Sequence, residues 1–224
     1  MTKTLTRLFD NYSDAENAVR DLEAMGVPHS DISIVANDAT GTHGGTIRGH
    51  NDVGTTAAVA GHETATAVAH ADDMGDVSRG ATTGALLGGA GGLLAGLGLL
   101  AIPGLGPVVA AGWLLATATG AGIGAAGGAA TGGIVGALKN SGHTDEEAHV
   151  YSEGVRRGST LVSAKVPDAM ADSAVTMFSR YNAVDAVSRG SAYRENGWSG
   201  FDDKAPAYSA DEVAAERSRY TRPM

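Results

Sequence analysis

The sequence predicts an α+β fold in which two halves are separated by a glycine-rich insert. Three observations predict it. The first 36 residues alternate as strand, helix, strand. Residues 140–189 alternate as helix, strand, helix, strand. Between Arg79 and Lys139 there is no Asp, Glu, Lys, Arg or His, and glycine recurs there every fourth residue. Neither half hides its own apolar faces alone. Joined, they make a four-stranded antiparallel sheet with two helices on one face, a split ferredoxin-like domain of order β-α-β-(insert)-α-β-α-β.

The first half occupies residues 1–36. Lys3 to Asp10 read as a strand, with Leu5, Leu8 and Phe9 as its apolar members. Ser13-Asp14-Ala15-Glu16 has the spacing of a capping box and predicts a helix start. Ala15, Val19, Leu22 and Met25 give that helix an apolar stripe. Gly26 and Pro28 stop it. Asp31 to Ala36 form the second strand.

Residues 37–78 read as an acidic linker rich in His, Thr, Ala and Gly, with a weak helix from Thr55 to Ala71. His43, His50, His62 and His70 lie there beside Asp52, Glu63, Asp72 and Asp73. His29, His143 and His149 lie elsewhere. No spacing makes three or four of these groups converge, so a solvated linker is the better reading than a metal site.

Residues 79–139 read as a closely packed helical hairpin. Gly80, Gly84, Gly88, Gly92 and Gly96 form one ladder. Gly112, Ala116, Gly120, Gly124, Gly128, Gly132 and Gly136 form the other. Four-residue spacing puts small residues on one helix face, which suits close backbone approach in lipid. Pro103, Gly104, Gly106 and Pro107 mark the turn. Ala81 to Ile102 hold 22 residues, about 33 Å as a helix against roughly 30 Å of hydrocarbon. The second helix, Pro107 to Leu138, is longer and less apolar. Antiparallel pairing about the turn sets Gly88 opposite about Gly122 and Gly84 opposite about Ala126. Ala85, Gly89, Ala121, Ala125 and Ala129 supply a second small face for self-association.

The second half occupies 140–189. Thr144-Asp145-Glu146-Glu147 is a second capping box. Its helix runs through Ala148, Tyr151 and Val155 to Gly158. Thr160 to Val166 alternate as a strand, Pro167-Asp168 start a helix carrying Met170, Ala174, Met177 and Phe178, and Ala183 to Val187 read as a final strand. Residues 190–224 read as a polar tail that docks through Trp198, Phe201 and Tyr208 or stays open.

Two sets of residues carry a resemblance. One is Leu8-Phe9-Asp10 through Ser13 to Val19, with Gly26-Val27-Pro28 and Asp31 to Val35. The other is Glu146 to Gly158 with Thr160-Leu161-Val162. Both, with the apolar insert and its Ala101 to Pro107 turn, resemble the bacterial heat-induced general stress protein family. The resemblance covers most of the chain apart from the His-rich linker. It implies a role in stress response and brings no catalytic residues with it.

Composition narrows the chemistry. The formal net charge is −9, and no basic patch stands out, so nucleic acid is not an expected partner. There is no cysteine, which excludes thiol catalysis and Cys-ligated metal. The N-terminus lacks an apolar signal core, so no cleaved signal peptide is expected. Gly122-Ile123-Gly124-Ala125-Ala126-Gly127 matches a dinucleotide fingerprint but follows no predicted strand. Gly197-Trp198-Ser199-Gly200 lacks the second glycine of a nucleophile elbow. Glu153, Arg156 and Arg157 sit at a helix end, where a basic pair complementing the dipole is the better reading than anion binding.

The expectation is a non-enzymatic stress protein without metal or cofactor. Its hairpin associates with membrane lipid and its α+β domain lies on the cytoplasmic side, with Arg79 and Lys139 flanking the insert. The alternative is a cytoplasmic, soluble homo-oligomer that buries the hairpin in a protein interface and binds a ligand or regulates a partner. An enzyme would need a convergent set of titratable groups, and none stands out.

Overall fold

The computed structural model describes residues 1–41, 98–102, 104–114, 117 and 133–220. The described strands are β1 (Thr2–Phe9), β2 (Ile32–Asn37), β3 (Gly98–Ile102), β4 (Gly106–Gly112) and β5 (Thr160–Pro167). The described helices are α1 (Tyr12–Ala24), α2 (Gly133–Asn140), α3 (Asp145–Arg156), α4 (Ala171–Arg180), α5 (Ala186–Glu195) and α6 (Ala210–Tyr220).

The strands form one antiparallel sheet in the order β1-β5-β2-β4-β3. Beyond β1, Val184 makes an isolated bridge to Leu8 through bonds of 2.9 and 2.8 Å. The chain is therefore α+β, with helices on both faces of the sheet.

Side chains alternate across the sheet as the strand period requires. Leu5, Phe9, Ile34, Val162 and Ala164 face α1 and α4, where they meet Val19, Leu22, Met177 and Phe178. Phe9 and Phe178 pack with ring centroids 6.0 Å apart. Leu8, Val35, Val108, Ala110 and Leu161 face α2, α3 and α5, where they meet Leu138, Tyr151, Val155 and Tyr193. Each such fully buried Leu or Phe contributes about 1.5–3 kcal/mol.

Residues 98–112 depart from the predicted helical hairpin. They form a β-hairpin on the open edge of β2. Gly104 and Gly106 take φ of +76° and +81°, which turns the chain too tightly for a helix to continue. Every residue of β2 is buried, so its second edge needs cover, and β4 supplies it. Val108, Val109 and Ala110 fit that pleated, buried surface. Asp38 N–H closes the junction on Pro107 O at 2.8 Å. The helix expected from Pro107 to Leu138 is therefore a strand through Gly112; Trp113 and Leu114 are helical, and α2 covers Gly133–Asn140.

Three smaller expectations also change. The first helix begins at Tyr12 after Asn11, and Asn11 makes no side-chain cap. Ser13 is thus inside the helix and forms no capping box. The expected strand Ala183 to Val187 reduces to Val184. Asp185 accepts from Ser188 N–H at 2.8 Å and starts a helix there instead. The tail is not open: α5 crosses residue 190, and α6 docks by Val213 and Glu216. The Thr144 capping box forms as predicted, with both reciprocal bonds present.

Candidate functional site

The densest polar cluster lies where α3 ends, between α5 and α6. It begins with spacing. Glu153, Arg156 and Arg157 are three and four residues apart, so one turn of α3 carries all three on neighbouring positions. Gly154 lets this turn approach β1 closely. A Cβ there would meet Leu8 Cδ1 at 2.5 Å.

Glu153 is fully buried. Its Oε1 accepts from Arg157 Nε at 2.6 Å and from Arg156 Nη2 at 2.8 Å. Its Oε2 lies 2.8 Å from the same Arg156 nitrogen but outside hydrogen-bonding direction. The basic pair thus spends itself on a side-chain carboxylate.

The tail closes the cluster. Ser209 and Glu212 bond reciprocally and start α6. Val213 then packs on Gly158, whose φ of +102° ends α3. Arg217 Nε donates to Gly158 O at 2.8 Å. Glu216 Oε1 accepts from Arg157 Nη1 at 2.9 Å and lies 3.4 Å from Tyr220 OH, which donates to it. Arg219 reaches Glu216 Oε2 at 3.0 Å. Before α6, Phe201 and Tyr208 lie 5.7 and 5.4 Å from the Arg156 guanidinium.

A second ion pair adjoins the first. Arg189, from α5, directs Nη2 to both oxygens of Asp10 at 2.7 and 2.8 Å. Ser159 Oγ also donates to Asp10, at 3.3 Å. The Arg189 guanidinium stacks 4.2 Å from the Tyr220 ring, and Arg157 stacks 4.3 Å from Tyr193. Arg156 Nε, Arg189 Nε and Nη1, and Tyr193 OH find no partner among the described residues.

Electrostatics follow from this packing. Burial works against the Arg157 charge, but bonds to Glu216 and Glu153 outweigh it and hold its pKa above the ordinary value. Burial likewise opposes the Arg189 charge, and Asp10 outweighs it. Burial pushes the Tyr193 hydroxyl far above the phenol range, so it stays a neutral donor. For Arg217, burial wins and lowers the pKa against the pull of Asp10 and Asp38.

A separate polar cluster lies under α3. Thr6 Oγ1 is 2.7 Å from His143 Nε2 and 2.8 Å from Ser163 Oγ. Tyr151 OH donates to Thr6 O at 2.8 Å. His143 Nδ1 lies 3.7 Å from Glu147 Oε2. The chain of groups has the order of a nucleophile relay. Thr6 and Ser163 are fully buried, however, and Glu147 is committed to the Thr144 cap. Its role is to satisfy buried polar groups.

The sequence-predicted packing residues are only partly in view. Gly80, Gly84, Gly88, Gly92, Gly96, Gly120, Gly124, Gly128, Gly132 and Pro103 lie outside the described residues, as do the helix expected from Thr55 to Ala71 and His43, His50, His62 and His70. Gly112 ends β4 with φ +92°, and a Cβ there would collide with Ile32 O. Gly112 therefore serves strand packing rather than a helix ladder. Gly136 lies in α2, and a Cβ there meets nothing within 4 Å. Gly104 and Gly106 do form a turn. Asp203 and Ala207 of the tail lie against them, each 2.8 Å from where a Cβ would sit. Pro107 follows Gly106 as the second residue of β4.

Asp10, Arg189 and Glu216 were not singled out by the sequence. Their partners lie 179 and 59 residues away, beyond any local spacing rule. The S-x-x-E run Ser209 to Glu212 was the one local signal that α6 exists. Among the described residues, no group of three or more His, Asp or Glu gathers to hold a metal. No family model, no curated protein and no solved structure matches this chain.

Proposed function

We propose that this chain is a non-enzymatic stress-response protein whose α+β body carries two glycine-rich stretches to membrane lipid. The observation that carries the reading is the β3–β4 register. Gly98 pairs with Ala110, and Ile102 pairs with Gly106. The hairpin thus brings residues 98 and 112 to one end of the sheet, and the two stretches read as glycine ladders adjoin that end. Small residues at every fourth position of both stretches suit close helix packing in lipid. In this reading both stretches pair as helices, with Gly88 opposite about Gly122 and Gly84 opposite about Ala126.

The body itself fits a split ferredoxin-like order. Val184, β1, β5 and β2 follow one another as the four strands of that arrangement do, with β4 and β3 added at the edge of β2. The resemblance to heat-induced general stress proteins supplies the stress role.

One observation favours a second reading, a soluble homo-oligomer that buries the stretches between copies. Residues 98–102 belong to the sheet, so the apolar run open to a bilayer is shorter than the predicted 22 residues. Among the described residues, no helix is long and apolar enough to cross a membrane. Cell fractionation separates the two readings. The first expects the full chain in the membrane fraction, released only by detergent. A detergent-free, monodisperse oligomer overturns it in favour of the second.

A further inference from the structure

We propose that the arginines beneath α6 form a binding site for a phosphate group, and that Glu216 occupies that site as an internal substitute. The argument starts from unmet donors. Arg189 is 2% exposed and Tyr193 is fully buried. Arg189 Nε and Nη1 and Tyr193 OH nevertheless bond to nothing among the described residues. Arg156 Nε is in the same condition. Buried donors of this kind are seldom left unmet.

Shared partners link Arg189 and Tyr193 to Glu216. Arg157 joins Glu216 and stacks on Tyr193. Tyr220 bonds Glu216 and lies under Arg189. A carboxylate has two oxygens, and both are used on Arg157, Tyr220 and Arg219. Three of its about four acceptor sites are then used, too few remaining to serve both Arg189 and Tyr193. A phosphate has more acceptor oxygens and more charge, and it accepts from several directions at once. The neighbouring acids do not block it. Asp10 is held by Arg189 Nη2 and Ser159, and Glu153 by Arg156 and Arg157.

Entry needs only α6 to lift. The helix follows the last docked loop and buries two residues, Val213 and Glu216. Its release breaks no strand pairing. The tail is therefore a removable lid, and the anion competes with Glu216 for Arg157.

The shared chemistry is a phosphate group, free in solution or on a lipid headgroup. The full chain and Glu216→Gln are titrated calorimetrically with inorganic phosphate, against chloride at equal ionic strength. Glu216→Gln keeps the shape of the side chain and is expected to bind at least about tenfold tighter, the effect of removing one charged competitor. Adding Arg189→Gln to that variant is expected to abolish the gain. The native chain gives an independent readout: phosphate should speed protease cleavage within 210–220 by lifting α6. Flotation on phosphatidic acid against phosphatidylcholine vesicles separates the sources. A gain seen with free phosphate identifies a small anion, and a gain confined to phosphatidic acid identifies a headgroup. No gain with either probe, or a gain that survives Arg189→Gln, overturns the site.

Discussion

Arg157 bonds Glu153 of its own helix at 2.6 Å and Glu216 of the last described helix at 2.9 Å. One guanidinium therefore ties the tail to the core. Its planar fork suits two carboxylates at once, which a lysine ammonium serves less well. Replacing Arg157 by Leu leaves Glu153 buried with one partner and frees Glu216. The expected loss is about 3–5 kcal/mol, read by urea unfolding. Arg157→Lys should recover only part of it. A loss under about 1 kcal/mol, the scale of an exposed pair, contradicts the role given to this contact.

Gly154 is predicted to tolerate no side chain. A Cβ there meets Leu8 Cδ1 at 2.5 Å and Cδ2 at 2.8 Å, inside a packed core. Gly154→Ala should cost about 1–3 kcal/mol by overpacking, although alanine favours helix. Shortening the neighbour in Gly154→Ala/Leu8→Val should restore part of the loss. Equal stability of Gly154→Ala and the native chain would show that α3 is free to move off β1.

His143 makes stability depend on pH. Its pKa is lowered from 6.5, chiefly by burial, against the opposing pull of Glu147. The unfolded chain then binds the proton more readily than the folded one. Stability from this group is full above about pH 6.5 and falls as pH drops from there through the folded pKa. Urea midpoints between pH 7.5 and pH 5 should fall more for the native chain than for His143→Gln. The carboxylates with lowered pKa, Asp145, Glu147 and Asp185, lose their contribution only at lower pH. Parallel midpoint curves for the two proteins would remove His143 from the account.

The register proposed for the ladders is open to a clean chemical test, because the chain has no cysteine. Gly88→Cys with Gly122→Cys should form a disulfide on mild oxidation, since bridging needs Cα atoms about 4.4–6.8 Å apart. Gly84→Cys with Gly122→Cys sits one turn out of register and should bridge several-fold more slowly. Equal rates for both pairs argue against a fixed pairing.

Much of the body was legible in the sequence. β1, β2, β5 and α4 follow from local apolar period, and α3 from its capping box. The β3–β4 hairpin was misread for a physical reason. Gly112 keeps the four-residue spacing of a ladder yet ends a strand. The competing signal was Val108-Val109 beside the Gly104 and Gly106 turn, and the open edge of β2 decided in its favour. That edge is a tertiary fact, invisible to a local window. The arginine cluster was half visible. Glu153, Arg156 and Arg157 share a helix turn, whereas Asp10, Arg189 and Glu216 join them only through the fold.

Flotation with vesicles of phosphatidylethanolamine and phosphatidylglycerol tests the central claim most directly. The full chain, purified in detergent and diluted out of it, is mixed with vesicles and spun through a density gradient. The account predicts that it rises with the lipid, and that Gly88→Asp, which puts a charge into the first ladder, weakens the effect. A native chain that stays at the bottom as a single soluble species contradicts it.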